Sequence, residues 1–115
     1  MQIWSVKCML MAQDMDRAVG FWRDVMGLEV ERHTPHWSEL SWRDAIVALH
    51  GGGTGEGHAS GLSLQVADLD EACQEVAAGG GRVLSGPVDR PGEGIRLADL
   101  VDTEGNAFAL SQRVG

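Results

Sequence analysis

The chain has 115 residues, 43% of them hydrophobic and 23% charged, which is enough for one globular domain with a single core. Its formal net charge of −8 argues against nucleic-acid or anionic-membrane partners, since both select basic faces. No apolar run reaches membrane-spanning length and no signal peptide opens the chain. We therefore expect a cytoplasmic protein in which the two cysteines, Cys8 and Cys73, stay reduced.

The first half of the chain predicts a strand, a helix and three further strands. Alternation in the first strand places Trp4, Val6, Cys8 and Leu10 on one apolar side that packs against a helix. Asp14 suits the N-cap of that helix, and a glycine at position 27 can end it. Residues 28–32, 37–42 and 45–50 then alternate in the manner of strands.

The second half repeats this order after a glycine-rich linker over residues 51–57. A strand before Asp68 leads into a helix that Asp68 caps, and the glycines at 79–81 end the helix. Residues 82–85, 95–101 and 107–112 predict three strands, the last two joined by a turn over 103–106.

Residues 10–19 match residues 64–73 at an offset of 54, which indicates an internal repeat. The leucine, both aspartates and the alanine coincide in the two segments. We predict a single α+β domain over residues 1–115, with repeat one at 1–50 and repeat two at 58–115. Each repeat has the order βαβββ, and the two curved, mixed four-stranded sheets surround a cavity with one helix behind each.

The predicted strand faces that point away from the helices carry small or polar side chains. Ser63 and Gln65 lie on this face before the second helix, and Ala107 and Ala109 lie on it in the last strand. A solvated face more often carries long charged residues, so small ones here favour a hollow that binds a ligand.

Three segments resemble the vicinal oxygen chelate superfamily, which includes glyoxalase I, extradiol dioxygenases, fosfomycin-resistance enzymes and bleomycin-resistance proteins. They are residues 14–28 (DMDRAVGFWRDVMGL), residues 66–72 (VADLDEA) and the turn 102–106 (DTEGN). The resemblance implies the paired βαβββ fold, a small-molecule ligand, and a homodimer with sites near the subunit boundary. It does not imply one activity, because this fold hosts several.

The places that hold metal ligands in metal-dependent members carry other residues here. By the resemblance these places are Lys7, Ala48, Gly61 and Ala109. An ammonium group repels a divalent cation, and alanine and glycine have no donor side chain. We therefore predict no metal site and no cofactor.

Individual side chains keep more than one interpretation. Lys7 is an anchor for an anionic or carbonyl ligand, an amine nucleophile, or a solvated surface lysine. Trp37 and Trp42 lie five residues apart, so they occupy opposite faces of one strand, and one of them stacks on a planar ligand or packs in an interface. Asp99 has a possible acid–base role.

Three functions stay open at this point. The first is a metal-free binding protein of the bleomycin-resistance type, which sequesters a planar or partly apolar compound such as an antibiotic. The second is a metal-independent isomerase, cyclase or lyase, and the third is a glyoxalase-like or dioxygenase-like metalloenzyme that uses displaced histidines. The candidate ligand-binding residues are Lys7, Met9, Trp37, Trp42, Ala48, His50, Gly61, Ser63, Gln65 and Ala109.

Overall fold

The computed structural model describes residues 1–114. Its strands are β1 (Lys7–Ala12), β2 (Glu29–His33), β3 (Trp37–Trp42), β4 (Ala45–Gly51), β5 (His58–Gln65), β6 (Arg82–Arg90), β7 (Ile95–Val101) and β8 (Asn106–Arg113). Its helices are α1 (Met15–Gly20), which continues into a π-helical turn over Phe21–Val25, and α2 (Leu69–Ala78). The predicted βαβββ order is thus present twice.

The eight strands form two four-stranded mixed sheets. The first sheet has the order β1-β4-β3-β2 and the second the order β5-β8-β7-β6, so the same arrangement is repeated. In each sheet the first and last strands of the repeat run parallel and the other pairs are antiparallel. Helix α1 packs on β3 and β4, and α2 packs on β6, β7 and β8, which confirms the predicted α+β fold.

Both helices begin and end where the sequence predicts. The Asp14 carboxylate accepts the backbone N–H of Arg17 at 3.1 Å, and Asp68 accepts that of Glu71 at 3.0 Å. These bonds satisfy free N–H groups in the first turns and place negative charge at the positive end of each helix dipole. Positive φ angles at Gly27 (79°) and Gly80 (99°) turn the chain away after each helix.

One continuous core lies between the helices and the two sheets. Trp22 is fully buried, with its ring 5.5 Å from Phe21 and 5.2 Å from Phe108 of the other repeat. The prediction that Trp4 and Val6 pack against a helix was wrong, because the two residues are 89% and 75% exposed. Strand β1 begins only at Lys7, so the six residues before it never reach the helix-facing layer.

The 102–106 turn of the second repeat fastens the first repeat. The Asn106 side chain accepts the backbone N–H of Met11 at 3.0 Å and donates to the Met11 carbonyl at 2.8 Å, which replaces a strand partner. Glu104 accepts the backbone N–H groups of Gln13 and Asp14. The buried Asp102 carboxylate accepts the Trp22 Nε1–H at 3.1 Å. The two repeats therefore form one packed unit.

The molecule is a slab of 41 × 37 × 22 Å, with the helices on one side and open sheet faces on the other. Among residues 1–114, no helix has the length and apolar character needed to cross a bilayer.

Candidate functional site

A pocket of about 520 Å³ lies on the face of the second sheet that points away from α2. It is open to solvent and is formed by β5, β6, β7 and β8. Its lining residues are Ala59, Ser60, Gly61, Leu62, Ser63, Leu84, Ser85, Asp99, Ala107, Phe108 and Ala109. The first repeat contributes none of them.

The hollow follows from small side chains and from a bulge in β5. Register with β8 is regular at Ala59↔Ala107 and again at Ser63↔Ala109, with three β5 residues opposite Phe108 between them. Gly61 lies in this bulge with a φ of 74°, a backbone conformation that glycine adopts without strain. Nothing lies within 4 Å of the position its missing Cβ would occupy, so the bulge opens onto free space.

Hydroxyl groups hold the bulge and line the pocket. The Ser60 hydroxyl donates to the Ala107 carbonyl and accepts the backbone N–H of Leu62 at 3.1 Å. The backbone of the bulge is thereby fixed by a side chain. Ser63 lies beside Ala109 on the pocket wall.

Asp99 is the charged residue among those that line the pocket. It lies opposite Ser85 of β6 and Ala109 of β8, and its Oδ2 accepts the Ser85 hydroxyl at 3.0 Å. The wall around it is mostly apolar, formed by alanines, Leu62, Leu84 and Phe108. An apolar wall with a few directed polar groups is the usual composition of a small-molecule site.

The first-repeat candidates lie on the corresponding face of the first sheet, outside this pocket. Direct register aligns Met9 with Ala48, and Trp37 with His50, on the side away from the core. The Trp37 ring meets His50 edge-on at 6.0 Å and donates its Nε1–H to Glu39 at 2.7 Å. His50 Nδ1 lies 2.6 Å from the Gly51 carbonyl oxygen, which can only accept, so Nδ1 is the donor in this bond.

The remaining candidates are dispersed. Lys7 is exposed and donates to the Ser5 hydroxyl at 3.1 Å, whereas Ala48 is fully covered by its neighbours. Trp42 is 59% exposed on the opposite face from Trp37, with the Arg43 guanidinium 4.6 Å from its ring centre. Gln65 lies beyond the pocket, at the end of β5. The structure thus brings together Gly61, Ser63 and Ala109.

Reasoning from the sequence missed the β6 wall of the pocket. Leu84 and Ser85 were read as the end of a short strand over 82–85, but β6 extends to Arg90 with two register shifts. One of these shifts falls between Val83 and Ser85 and leaves Leu84 between paired residues, where it borders the pocket.

The residues present do not fit a metal ion of the kind found in metal-dependent relatives. Lys7, Ala48, Gly61 and Ala109 offer an ammonium group, two methyl groups and a hydrogen atom. Within the described part of the chain, no group of three or more His, Cys, Asp or Glu side chains is placed to hold a metal. His33 is bonded to Asp16, with Nε2 2.9 Å from Oδ1.

The thiols offer no activated nucleophile. Both cysteines are free, and burial raises the pKa of the Cys8 and Cys73 thiols above the ordinary value, which favours the protonated form. Cys8 lies at the seam between the repeats, where its Sγ is 4.0 Å from the Ser60 carbonyl.

Comparison with known proteins gives one family and many similar structures. Residues 4–110 match the model of the Glyoxalase/Bleomycin resistance protein/Dioxygenase superfamily. TioX from Micromonospora sp. ML1 is similar at a TM-score of 0.76 and 21% identity, over 96% of this chain and 99% of that one. The fosfomycin resistance protein FosX from Listeria monocytogenes is similar at 0.77 and 14% identity, over 97% and 94% of the two chains.

A superfamily member from Sphaerobacter thermophilus DSM 20745 is also similar, at a TM-score of 0.77 and 22% identity, over 97% of this chain and 98% of that one. At these identities the likeness shows the fold and not an activity. No curated protein matches the sequence.

Proposed function

The chain belongs to the Glyoxalase/Bleomycin resistance protein/Dioxygenase superfamily, and we propose that within it this protein is a small-molecule binding protein that works without a metal ion. The observation that carries the proposal is the pocket on the second sheet. By the family resemblance, Gly61 and Ala109 occupy two places that hold metal ligands in metal-dependent members, and both line this pocket.

The pocket has the size and composition of a ligand site. Its volume of about 520 Å³ falls within the roughly 300–1,000 Å³ typical of small-molecule sites. Ser60, Ser63 and Ser85 supply hydroxyl groups on an otherwise apolar wall. A planar or partly apolar compound, such as an antibiotic, matches that wall, and similar structures include a fosfomycin resistance protein.

The open pocket is best closed by a second copy of the chain, so we propose a homodimer. Met9 on the first sheet and Leu84 and Val88 on the second are each 53% exposed on a slab only 22 Å thick. Exposed apolar groups around an open sheet face favour an interface. In such a dimer the ligand would gain contacts from Met9, Trp37 and His50. Light scattering should then give a mass near twice 12.3 kDa.

A thermal-shift screen tests binding directly. Aromatic natural products and antibiotics should include compounds that raise the melting temperature, since a ligand that binds only the folded state stabilises it. Such a compound should be recovered unchanged by mass spectrometry, and the protein should bind it after exhaustive chelation. Stoichiometric zinc, nickel or iron that is required for binding would overturn the metal-free proposal.

A pocket-filling variant locates the site. Ala109→Phe should abolish the ligand-induced shift, because the ring would occupy the space beside Ser63. Ala45→Phe is the matched control, since it places the same ring on an exposed residue outside the pocket. Two results would exclude this pocket as the site. The first is a loss of binding that is equally large in both variants, and the second is unchanged binding in both.

A metal-independent proton-transfer enzyme is the second candidate, and the position of Asp99 in the pocket favours it. A carboxylate near a bound ligand can act as a general base. This candidate predicts a changed product with the same compounds, and Asp99→Asn should abolish product formation while the compound still binds. Recovery of every bound compound unchanged would exclude it.

A further inference from the structure

The charge of the pocket wall gives the class of ligand, an inference that rests on the proposed function. We propose that the pocket selects organic cations, with the Asp99 carboxylate as the group that receives the positive charge. One of the three interpretations of Lys7 from the sequence is an anchor for an anionic or carbonyl ligand. In the structure Lys7 does not line the pocket, and Asp99 does.

Asp99 has no cationic partner in the described chain. Within residues 1–114, no Lys, Arg or His nitrogen lies within 4.0 Å of its carboxylate, although six ion pairs form elsewhere in that part of the chain. Arg90 of the adjacent strand is paired with Glu93 at 2.7 Å. Arg82 of the same strand lies opposite Val101, two residues along β7 from Asp99, and its guanidinium is not within ion-pair distance of the Asp99 carboxylate.

The carboxylate is also held in place. The Ser85 hydroxyl donates to Oδ2 at 3.0 Å and leaves Oδ1 without a donor from the described residues. Asp99 of β7 is directly paired with Ala109 of β8, and Ala109 is in turn paired with Ser63 of β5. A ligand seated on Ala109 therefore lies next to this negative charge.

Desolvation then determines which ligand charge binds best. A neutral aromatic compound on the apolar wall displaces water from the Asp99 carboxylate and offers it no hydrogen bond or opposite charge, which costs free energy. A cation of the same shape replaces that water with an electrostatic attraction to the carboxylate, and an anion is repelled by it. The expected order of affinity is cation, then neutral compound, then anion.

Three probes of nearly equal shape test this order. N-Methylquinolinium is the cation, 1-methylnaphthalene the neutral compound and 1-naphthoate the anion. Titration followed by amide chemical shifts gives each Kd and shows whether Gly61, Ser85, Asp99 and Ala109 respond. The cation should bind about tenfold more tightly than the neutral probe, which corresponds to about 1.4 kcal/mol.

Asp99→Asn removes the charge and keeps an acceptor for Ser85, so it should reduce the cation-to-neutral ratio to near one. Asp44→Asn is the matched control, because it makes the same change in net charge on an exposed turn residue outside the pocket and should leave the ratio unchanged. The wild-type ratio should also fall between about 50 mM and 500 mM salt, since added ions screen an open charge pair. This measurement does not depend on the variant folding.

The outcomes separate the inference from the function on which it rests. Equal binding of all three probes at the pocket amides, or tighter binding of 1-naphthoate, would overturn the cation inference and leave the binding function standing. A cation-to-neutral ratio that survives in Asp99→Asn would also overturn it. Failure of all three probes to shift any pocket amide would overturn both.

Discussion

Removal of the Glu104 side chain should weaken the contact between the two repeats and so destabilise the fold. It is 2% exposed, and its carboxylate accepts the Gln13 and Asp14 backbone N–H groups at 3.0 and 2.8 Å. The Arg17 guanidinium donates to it from Nε at 2.7 Å and from Nη2 at 3.2 Å, and the Thr103 hydroxyl donates at 2.7 Å. One side chain of the second repeat thus supplies acceptors to the start of α1 in the first.

The cost of Glu104→Ala can be worked out from these contacts. Two backbone N–H groups lose their acceptor at about 1 kcal/mol each, the lower end for a buried unsatisfied group. Arg17 is 47% exposed and can return to water, so its lost pair adds only about 1 kcal/mol. The total of about 3 kcal/mol should lower the melting temperature by roughly 10–15 °C.

Glu104→Gln and Glu93→Ala are the controls. Glutamine keeps one acceptor oxygen and loses the charge, so it should cost about half as much as alanine. Glu93 forms an exposed ion pair with Arg90, so its removal should cost about 0.5 kcal/mol. Chemical denaturation measures all three. A Glu104→Ala cost no larger than that of Glu93→Ala would refute the reasoning.

The same carboxylate makes stability depend on pH. Burial is the largest single influence and raises the pKa of Glu104, but hydrogen bonds from Arg17, Asp14 and Thr103 and the charge of Arg17 outweigh it and leave the pKa lowered. A folded-state pKa below the unfolded value of 4.5 contributes stability above that pH, and this is lost as the pH falls through the lower, folded value. Glu104→Gln should remove this part of the acid-induced loss.

Three further changes test the packing of the molecule. Trp22→Phe should cost about 2 kcal/mol in chemical denaturation, because it empties part of the core and leaves Asp102 without the Nε1–H donor. Gly105→Ala should cost about 2 kcal/mol or more by the same measurement, since φ is 92° and the new Cβ would lie 2.6 Å from the Gly55 carbonyl oxygen. Asp68→Ala should cost about 1 kcal/mol and speed amide exchange in the first turn of α2, because the Glu71 N–H loses its cap.

The fold was predictable because each repeat carries its own local signals. Asp14 and Asp68 cap helices and alternating apolar residues mark the strands, and none of these depends on contacts distant in sequence. The pairing of β1 with β4 and of β5 with β8 joins strands that are distant in sequence, and no local signal predicts it. The first strand was extended too far because Trp4 and Val6 continue its alternation, and alternation alone cannot show that no layer covers them.

The sequence predicts residues of the site only where regular alternation along a strand determines the sheet face on which a side chain lies. Ser63 and Ala109 were expected on the face away from the helix, and both line the pocket. The three-residue bulge opposite Phe108 and the register shift at Leu84 break the period, so the β6 wall could not be read from the sequence. The Trp37–Glu39 hydrogen bond was missed for a different reason, since it depends on side-chain geometry within one strand face.

Gly61 occupies a place that, by the family resemblance, holds a metal ligand in metal-dependent members. Replacing a histidine by glycine in a regular strand would leave the backbone unchanged, and the ligand could be restored by substitution. Here φ is 74° and the Ser60 hydroxyl holds the bulge, so Gly61→His would place a side chain on a backbone that disfavours it. The bulge therefore fixes the backbone at this position, and Asp99 lines the same pocket. This fixed backbone is consistent with the proposed binding pocket, because a wall that does not have to rearrange loses less conformational freedom when a ligand binds.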